Sequence, residues 1–207
     1  SVQPVPLVVA ADVHDEAAVA AALAGAFGAV NAVSLYVEHG RDSFDAVHVE
    51  GAARLARHAR EAGVERLVHV SGIGADPGSS SPYIRARGRG ELAVIQAFDA
   101  VTLVRPAVMF GPDDAFLTRM VKLIRTLPVY PMFGRGQTRL QPVYVDDVAE
   151  AIARVLDRSY RADRPCYELG GPRIYTYREL LQSIAREMGT RVRTAPMPFA
   201  AWQALAG

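Results

Sequence analysis

Arg66-Leu67-Val68-His69-Val70-Ser71 opens the stretch of sequence that decides the fold. This short apolar run is typical of a strand buried on both faces, and a helix from Ser81-Pro82 to about Phe98 follows it. The helix has a clear start, because the serine supplies an N-cap and the proline takes the first helical position. A second apolar run, Val101 to Arg105, comes after the helix. Strand, helix and strand in this order predict a βαβ unit and therefore a parallel sheet.

The same alternation extends in both directions from this unit. The helical stretch from Asp42 to Ala62 stops at Gly63, and Thr176 with Glu179 forms a capping box that opens another helix. The further predicted strands are Leu7 to Ala10, Ala29 to Leu35, Val143 to Val145 and Cys166 to Leu169. Together these elements predict an α/β fold with a doubly wound, Rossmann-like parallel sheet.

Composition argues against several classes of protein. The chain has 207 residues and a net charge of +1, which gives no reason to expect nucleic acid or an anionic membrane as a partner. Ala17 to Val37 contains no charged residue, but Gly25 and Gly28 divide it into an Ala-rich helix and a β-branched strand, so we expect no membrane span. The five histidines lack metal-ligand spacing, and one cysteine, Cys166, permits no internal disulfide. We therefore expect no metal site and a reducing, cytoplasmic location.

Tyr83 and Arg87 are the first candidates for catalytic residues. They lie four residues apart on the predicted helix, so their side chains project from one face about 6 Å apart along the axis. A fixed cation favours the ionised form of a neighbouring phenol, which suits a proton donor or acceptor. Taken alone, the pair is more often a surface contact than a catalytic one.

Further motifs stand around this pair in a fixed order: the strand ending Val70-Ser71-Gly72, the strand ending Arg105-Pro106, then Phe110-Gly111-Pro112 and Val143 to Ala149. This set resembles the extended and atypical branch of the short-chain dehydrogenase/reductase superfamily, over nearly the whole chain. Three stretches are most similar to the group that contains the nucleotide-binding accessory subunit of respiratory complex I and bacterial proteins labelled nucleoside-diphosphate-sugar epimerases: Val64 to Asp76, Tyr83 to Glu91 and Leu103 to Asp114. The resemblance implies NAD or NADP as cofactor.

The resemblance also implies roles for individual residues. Tyr83 matches the catalytic tyrosine, Arg87 occupies the place of its lysine partner, and Ser71 lies next to the usual position of the catalytic serine. Arg139 falls where related sugar-nucleotide enzymes contact a diphosphate. Cofactor contacts are implied for Asp12 and Val13 near the adenine, for Asn31, Ala32 and Val33 along the adenosine half, and for Pro106, Ala107 and Val108 against the nicotinamide ring.

The chain departs from the family pattern at several points. Arg87 is longer and planar where a compact ammonium would bridge ribose and phenol. Gly72 and Ile73 stand where the catalytic serine usually lies. Either Ser71 takes over the function of that serine, or the protein has no catalytic serine. His48 stands where many relatives have an asparagine that organises a proton-relay water. The chain contains no G-x-G-x-x-G, G-x-x-G-x-x-G or P-loop, so we expect the family's first βαβ unit, and also its C-terminal end, to be absent.

The resemblance divides the chain into four segments. We expect a partial dinucleotide-binding domain at 1–110, a substrate-side excursion at 111–142, a return to the sheet at 143–170 and a partial C-terminal lobe at 171–207. The excursion is also indicated by the residues themselves, since three prolines and three glycines between Gly111 and Gln141 break the βα rhythm.

Two functions remain open at this stage. The first is an NAD(P)-binding oxidoreductase or nucleoside-diphosphate-sugar epimerase that uses Tyr83 as general acid/base on a small-molecule substrate. The alternative is a non-catalytic dinucleotide-binding accessory or sensor module that docks on a protein partner. Relatives often pair through the long helices that correspond to Asp42–Ala62 and Ser81–Phe98, so a homo-oligomer is a family expectation only.

Overall fold

The computed structural model describes residues 7–160 and 165–197. Its helices are α1 (Glu16–Leu23), α2 (Ala52–Glu61), α3 (Pro82–Ala97), α4 (Ala115–Thr126), α5 (Val145–Leu156) and α6 (Tyr177–Glu187), with a π-helical segment, Ala46–Gly51, leading into α2. Its strands are β1 (Gly28–Asn31), β2 (Arg66–Val70), β3 (Thr102–Pro106), β4 (Met109–Phe110), β5 (Tyr130–Phe133), β6 (Arg139–Leu140), β7 (Val143–Tyr144), β8 (Cys166–Leu169), β9 (Tyr175–Thr176) and β10 (Thr194–Met197).

A four-stranded sheet in the order β1-β2-β3-β8 carries the first of two compact units, residues 1–106 and 150–168. β2 pairs in parallel with both β1 and β3, and Val68 at its centre lies opposite Val30 on one side and Thr102 on the other. Leu67 and Val68 are almost completely buried. The predicted α/β fold with a parallel central sheet is therefore confirmed.

Small residues let the helices of this unit approach one another closely. Ala52, Ala56 and Ala59 repeat at helical spacing on α2, and all three are buried in a core with residues of α1 and α3. On α3, a Cβ placed at Gly90 would lie only 2.0 Å from the carbonyl oxygen of His48. Gly90 therefore permits contact between α3 and the π-helical segment.

The second unit comprises residues 107–149 and 169–207. It contains helices α4 and α6 and three two-stranded sheets, in which β5 pairs with β10, β4 with β7 and β6 with β9. Its core contains Met120, Tyr130, Leu180 and Leu181. The predicted capping box is present, since Thr176 and Glu179 bond reciprocally at the start of α6. The four-segment division expected from the sequence stays a prediction.

Two predicted strands differ from the observed structure. Residues 7–10 form no strand, because they have no ladder partner among the described residues, and Leu7 and Val8 are 88% and 90% exposed. The strand predicted to run to Leu35 ends at Asn31, where the side-chain oxygen of Asn31 accepts from the backbone N–H of Val33. That local bond turns the chain out of the ladder. Within the described part of the chain, no helix is both long and apolar enough to cross a membrane.

Candidate functional site

Tyr83 and Arg87 contact each other on the first two turns of α3. The Nη1 of Arg87 donates to the hydroxyl of Tyr83 at 2.6 Å, and both side chains are half-buried. The spacing of four residues places them on one face, and the proline at the start of α3 fixes where that face begins. The structure therefore brings together the two residues that sequence analysis selected, while their catalytic roles stay predictions.

Three aromatic rings surround the ring of Tyr83. Tyr36 stacks on it with a centroid separation of 5.8 Å, while Phe44 and His48 meet it edge-on at 5.5 and 5.6 Å. Such pairs stabilise beyond the area that they bury. Sequence analysis missed Tyr36 and Phe44, because both come from the long connection between β1 and the π-helical segment.

Gly72 and Ser71 lie at the carboxyl end of β2. A Cβ built on Gly72 would lie 3.1 Å from both Cζ and Nη2 of Arg87, so the guanidinium rests against a residue without a side chain. Ser71 is only 3% exposed, and its hydroxyl has no hydrogen-bond partner among the described residues. A buried hydroxyl without a partner is costly in a folded protein, so Ser71 is suited to bonding a ligand.

His48 anchors the connection that carries Tyr36. Its Nε2 lies 3.0 Å from the carbonyl oxygen of Leu35, and the residue is 6% exposed. Burial lowers the pKa of His48; the bond to Leu35 opposes that shift, and the charge of Arg87 adds to it. At neutral pH the ring is therefore uncharged. Its Nε2 lies within hydrogen-bond distance of both the carbonyl oxygen and the backbone N–H of Leu35, the residue before Tyr36.

A buried polar cluster lies beneath these residues. The side-chain nitrogen of Asn31 lies 3.2 Å from Nδ1 of His69, and burial lowers the pKa of His69 to about 4. Glu91, one helical turn beyond Arg87 on α3, forms a two-pronged ion pair with Arg105 at 2.9 and 2.6 Å. Sequence analysis missed His69, Glu91 and Arg105; the available signal was a charge one turn after Arg87, on the same face of α3.

Several of the residues predicted to contact the adenosine half of the cofactor form hydrogen bonds with other groups of the protein. Asn31 is 4% exposed, with its amide bonded to His69 and Val33, whereas Ala32 and Val33 are exposed. The Asp12 carboxylate accepts from the backbone N–H of His14 and from Arg41, and the His14 bond is the main cause of its lowered pKa. The Val13 carbonyl accepts from Arg54 at 2.7 Å.

The remaining predicted residues fall in different units. Pro106 is buried at the end of β3, and its carbonyl accepts from the backbone N–H of Ile73 at 3.1 Å. Ala107 and Val108 belong to the second unit, where their backbones bond to Leu169 and Val143 respectively. Arg139 also lies in the second unit, exposed on β6 opposite Thr176.

The first unit fits one part of a dinucleotide. Ser71 offers a buried hydroxyl without a partner, and Arg87 has further N–H donors beyond the one that bonds Tyr83. These donors suit the hydroxyls of a ribose next to a nicotinamide ring. Among the described residues no cluster of His, Cys, Asp or Glu could hold a metal ion.

Residues 7–170 match the NAD dependent epimerase/dehydratase family, and the chain belongs to that family. Its fold is thus that of an extended short-chain dehydrogenase/reductase. The predicted dependence on NAD or NADP is confirmed at the level of the family.

Among curated proteins, one relative is the mitochondrial NADH dehydrogenase (ubiquinone) 1 alpha subcomplex subunit 9 of Arabidopsis thaliana. The two sequences are 34% identical over 196 residues, and the match covers 94% of this chain and 49% of that protein. It is 30% identical over 159 residues to a ceramide reductase of Caulobacter vibrioides, covering 76% of this chain and 49% of that protein. The chain thus spans about half the length of these relatives.

A solved structure of DesIV, a dTDP-glucose 4,6-dehydratase from Streptomyces venezuelae with NAD bound, superposes with a TM-score of 0.73 at 26% identity, covering 89% of this chain and 65% of that one. The cytoplasmic location predicted from the sequence is wrong on these comparisons, since the Arabidopsis protein and two further relatives are mitochondrial by name. The absence of disulfides, on which the prediction rested, does not distinguish between reducing compartments.

Proposed function

We propose that this protein is a dinucleotide-binding accessory module that docks on a protein partner. The observation that carries the proposal is the hydrogen bond between Arg87 and Tyr83, made by a guanidinium that rests against Gly72. The guanidinium stands where the family has a compact ammonium, so the phenol and its cation are not held as the family's reaction requires. The pair is therefore better arranged to bind than to turn over a substrate.

Ser71 supports the same conclusion. A catalytic serine would share a hydrogen bond with the phenol, whereas the Ser71 hydroxyl is buried and has no partner among the described residues. At position 72, beside Arg87, the chain has glycine. The proton-relay arrangement of the family is thus incomplete on the side of β2.

The module would use these residues to hold the nicotinamide half of the cofactor. The free N–H groups of Arg87 would donate to ribose hydroxyls, and the Ser71 hydroxyl would gain the partner that it lacks. The ion pair of the buried Glu91 with the partly exposed Arg105 joins α3 to β3 one turn beyond Arg87. When bound, the nicotinamide ring supplies hydride chemistry that this site does not need.

A protein partner is proposed from the relatives. The Arabidopsis protein is by its name a subunit of an NADH dehydrogenase, so its working context is an assembly. We extend that context to this chain as part of the proposal. Pairing of two copies through α2 and α3 stays a prediction.

A second candidate is a reductase in which Tyr83 protonates the oxygen of a keto substrate. It is favoured by the half-buried position of Tyr83 and by the likeness to a ceramide reductase. In that reaction a reduced nicotinamide would give a hydride to the carbonyl carbon, while the phenol gives its proton to the carbonyl oxygen.

The test uses full-length protein and two matched tyrosine variants. NADH and NADPH are titrated by fluorescence, and turnover is followed with keto substrates, for wild type, Tyr83→Phe and the control Tyr36→Phe, which also loses one hydroxyl from the aromatic cluster. Binding of a nucleotide without turnover in any of the three supports the accessory module. Turnover lost in Tyr83→Phe and kept in Tyr36→Phe supports the reductase, and no binding of either nucleotide overturns both.

A further inference from the structure

The two units differ in how their charged side chains pair and in their net charge. Every ion pair among the described residues lies in the first unit, where ten such contacts join its arginines and histidines to carboxylates. The second unit has ten Lys and Arg residues against six Asp and Glu. None of those cations pairs with a carboxylate in the part of the chain that the structure describes. The net charge of +1 therefore conceals a cationic second unit.

Helix α4 concentrates this charge on one face. Arg119, Lys122 and Arg125 follow one another at intervals of three residues, and all three are exposed. The opposite face packs into the core of the second unit through Met120 and its apolar neighbours. The helix itself, Ala115–Thr126, contains no acidic residue. The three cations of the helix therefore have no carboxylate among them, and the nearest acidic residues in sequence, Asp113 and Asp114, precede the first turn.

Further exposed residues lie close to the end of α4 in the fold. Leu127 and Val129, directly after the helix, are 39% and 43% exposed. The next residue, Tyr130, donates its backbone N–H to the carbonyl of Arg193 at 2.7 Å, which brings Arg191 and Arg193 beside this segment. Both arginines are exposed. We define the basic face as Arg119, Lys122, Arg125, Arg191 and Arg193, with Leu127 and Val129 as its apolar pair.

We propose that the basic face binds the surface of an anionic lipid bilayer. Lysine and arginine are attracted to the phosphate groups of anionic lipids, and aliphatic side chains next to them gain by entering the headgroup and acyl boundary. An acidic protein fits less well, because protein interfaces are enriched in aromatic residues, whereas the basic face has no aromatic side chain. The positive charge thus requires an anionic partner, and the exposed aliphatic pair beside it favours a lipid surface.

Vesicle sedimentation with full-length protein tests this proposal. Vesicles of phosphatidylcholine with 30% phosphatidylserine are compared with pure phosphatidylcholine, at low salt and at 0.5 M salt. We expect binding to the anionic vesicles only, weakened at least tenfold by the higher salt, because screening shortens the reach of the lipid charge. Equal binding to both vesicles, or to neither, overturns the proposal.

Charge-reversal variants locate the surface. Arg119→Glu/Lys122→Glu/Arg125→Glu should reduce the vesicle partition coefficient more than tenfold. The control Arg60→Glu/Arg89→Glu/Arg154→Glu makes the same change in net charge at exposed positions of the first unit and should reduce it much less. Circular dichroism checks that both variants fold.

A third variant and a competitor complete the test. Leu127→Ser/Val129→Ser should weaken binding severalfold while leaving its salt dependence unchanged. An equal loss in the two charge variants means non-specific attraction and overturns the proposal. Polyglutamate that competes as well as the anionic vesicles also overturns it, in favour of an acidic protein partner.

Discussion

The ideal Cβ position of Gly72 lies 3.1 Å from the Cζ of Arg87, so the guanidinium occupies space that any other residue at position 72 would need. The same guanidinium donates to Tyr83 at 2.6 Å. Two departures from the family pattern, glycine at the serine position and arginine at the lysine position, are therefore in direct contact. The longer arginine fits because the serine side chain is absent.

Gly72→Ser should push Arg87 away from Tyr83. A new Cβ at this distance requires the guanidinium to move by a few tenths of an ångström, and the added hydroxyl requires more. We expect a loss of about 1.5–3 kcal/mol in the free energy of unfolding, the range of a hydrogen bond to a charged group. Urea denaturation measures it, with Gly78→Ser as the control, because a Cβ at Gly78 meets only the Asp76 carboxylate at 3.5 Å.

A double-mutant cycle with Arg87→Lys shows whether the two positions act together. Lysine is shorter and should leave room for the serine, so Gly72→Ser/Arg87→Lys should be more stable than the sum of the single changes predicts. We expect a coupling of about 1 kcal/mol, typical of residues in contact. Additive effects would mean that the contact between positions 72 and 87 does not contribute to the free energy of unfolding.

The sequence predicted the sheet and the Tyr83–Arg87 contact because both are local. Alternating strands and helices follow from the order of apolar runs, and a spacing of four residues on a helix determines a shared face. Two of the rings around Tyr83 were missed, because Tyr36 and Phe44 reach it from a different segment of the chain. No periodicity encodes such a contact.

The wrong predictions of secondary structure arose because contacts with distant parts of the chain determine whether a strand forms. Leu7 to Ala10 has the composition of a strand, but a strand forms only where a neighbour completes its ladder, and the described residues provide none. The partners of Glu91 and His69 were equally hidden, because Arg105 and Asn31 lie on other strands. The cationic face of the second unit was masked by a net charge taken over the whole chain.

Gly90→Ala should destabilise the protein, although alanine is the better helix former by about 1 kcal/mol. The new methyl group would lie 2.0 Å from the carbonyl oxygen of His48, a backbone atom that cannot rotate away. The contact between α3 and the π-helical segment must then open, at a cost of about 3 kcal/mol or more. Thermal and urea unfolding should show this loss, while Gln96→Ala, at an exposed position of α3, should change little.

Thr176→Ala should weaken the start of α6 by about 1 kcal/mol. The threonine side chain accepts from the backbone N–H of Glu179 at 3.2 Å, and the Glu179 carboxylate accepts from the backbone N–H of Thr176 at 2.7 Å. Thr176→Ser keeps both bonds and should lose only a few tenths of a kcal/mol. If urea unfolding gives equal losses for the two variants, the methyl group rather than the cap stabilises this position.

His69 should make the stability of the protein depend on pH between about 6.5 and 4. Burial lowers the pKa of His69 to about 4, from an ordinary value of 6.5. Between these values the unfolded chain binds a proton that the folded protein does not, so stability falls as the pH is lowered through this window. The full effect below pH 4 is roughly 3 kcal/mol, from the free energy equivalent of the shift. At pH 7 and above the penalty is absent.

His69→Gln isolates this contribution, because glutamine can still bond Asn31 but does not titrate. We expect the free energy of unfolding of wild type, measured by urea at a series of pH values, to fall more steeply than that of the variant between pH 6.5 and 4. His48, whose pKa is also lowered, titrates in both proteins, so its effect cancels in the difference. The carboxylates with lowered pKa values cancel in the same way. Parallel curves for wild type and variant would mean that His69 takes up its proton in the folded protein as readily as in the unfolded chain, and that its contact with Asn31 does not require a neutral ring.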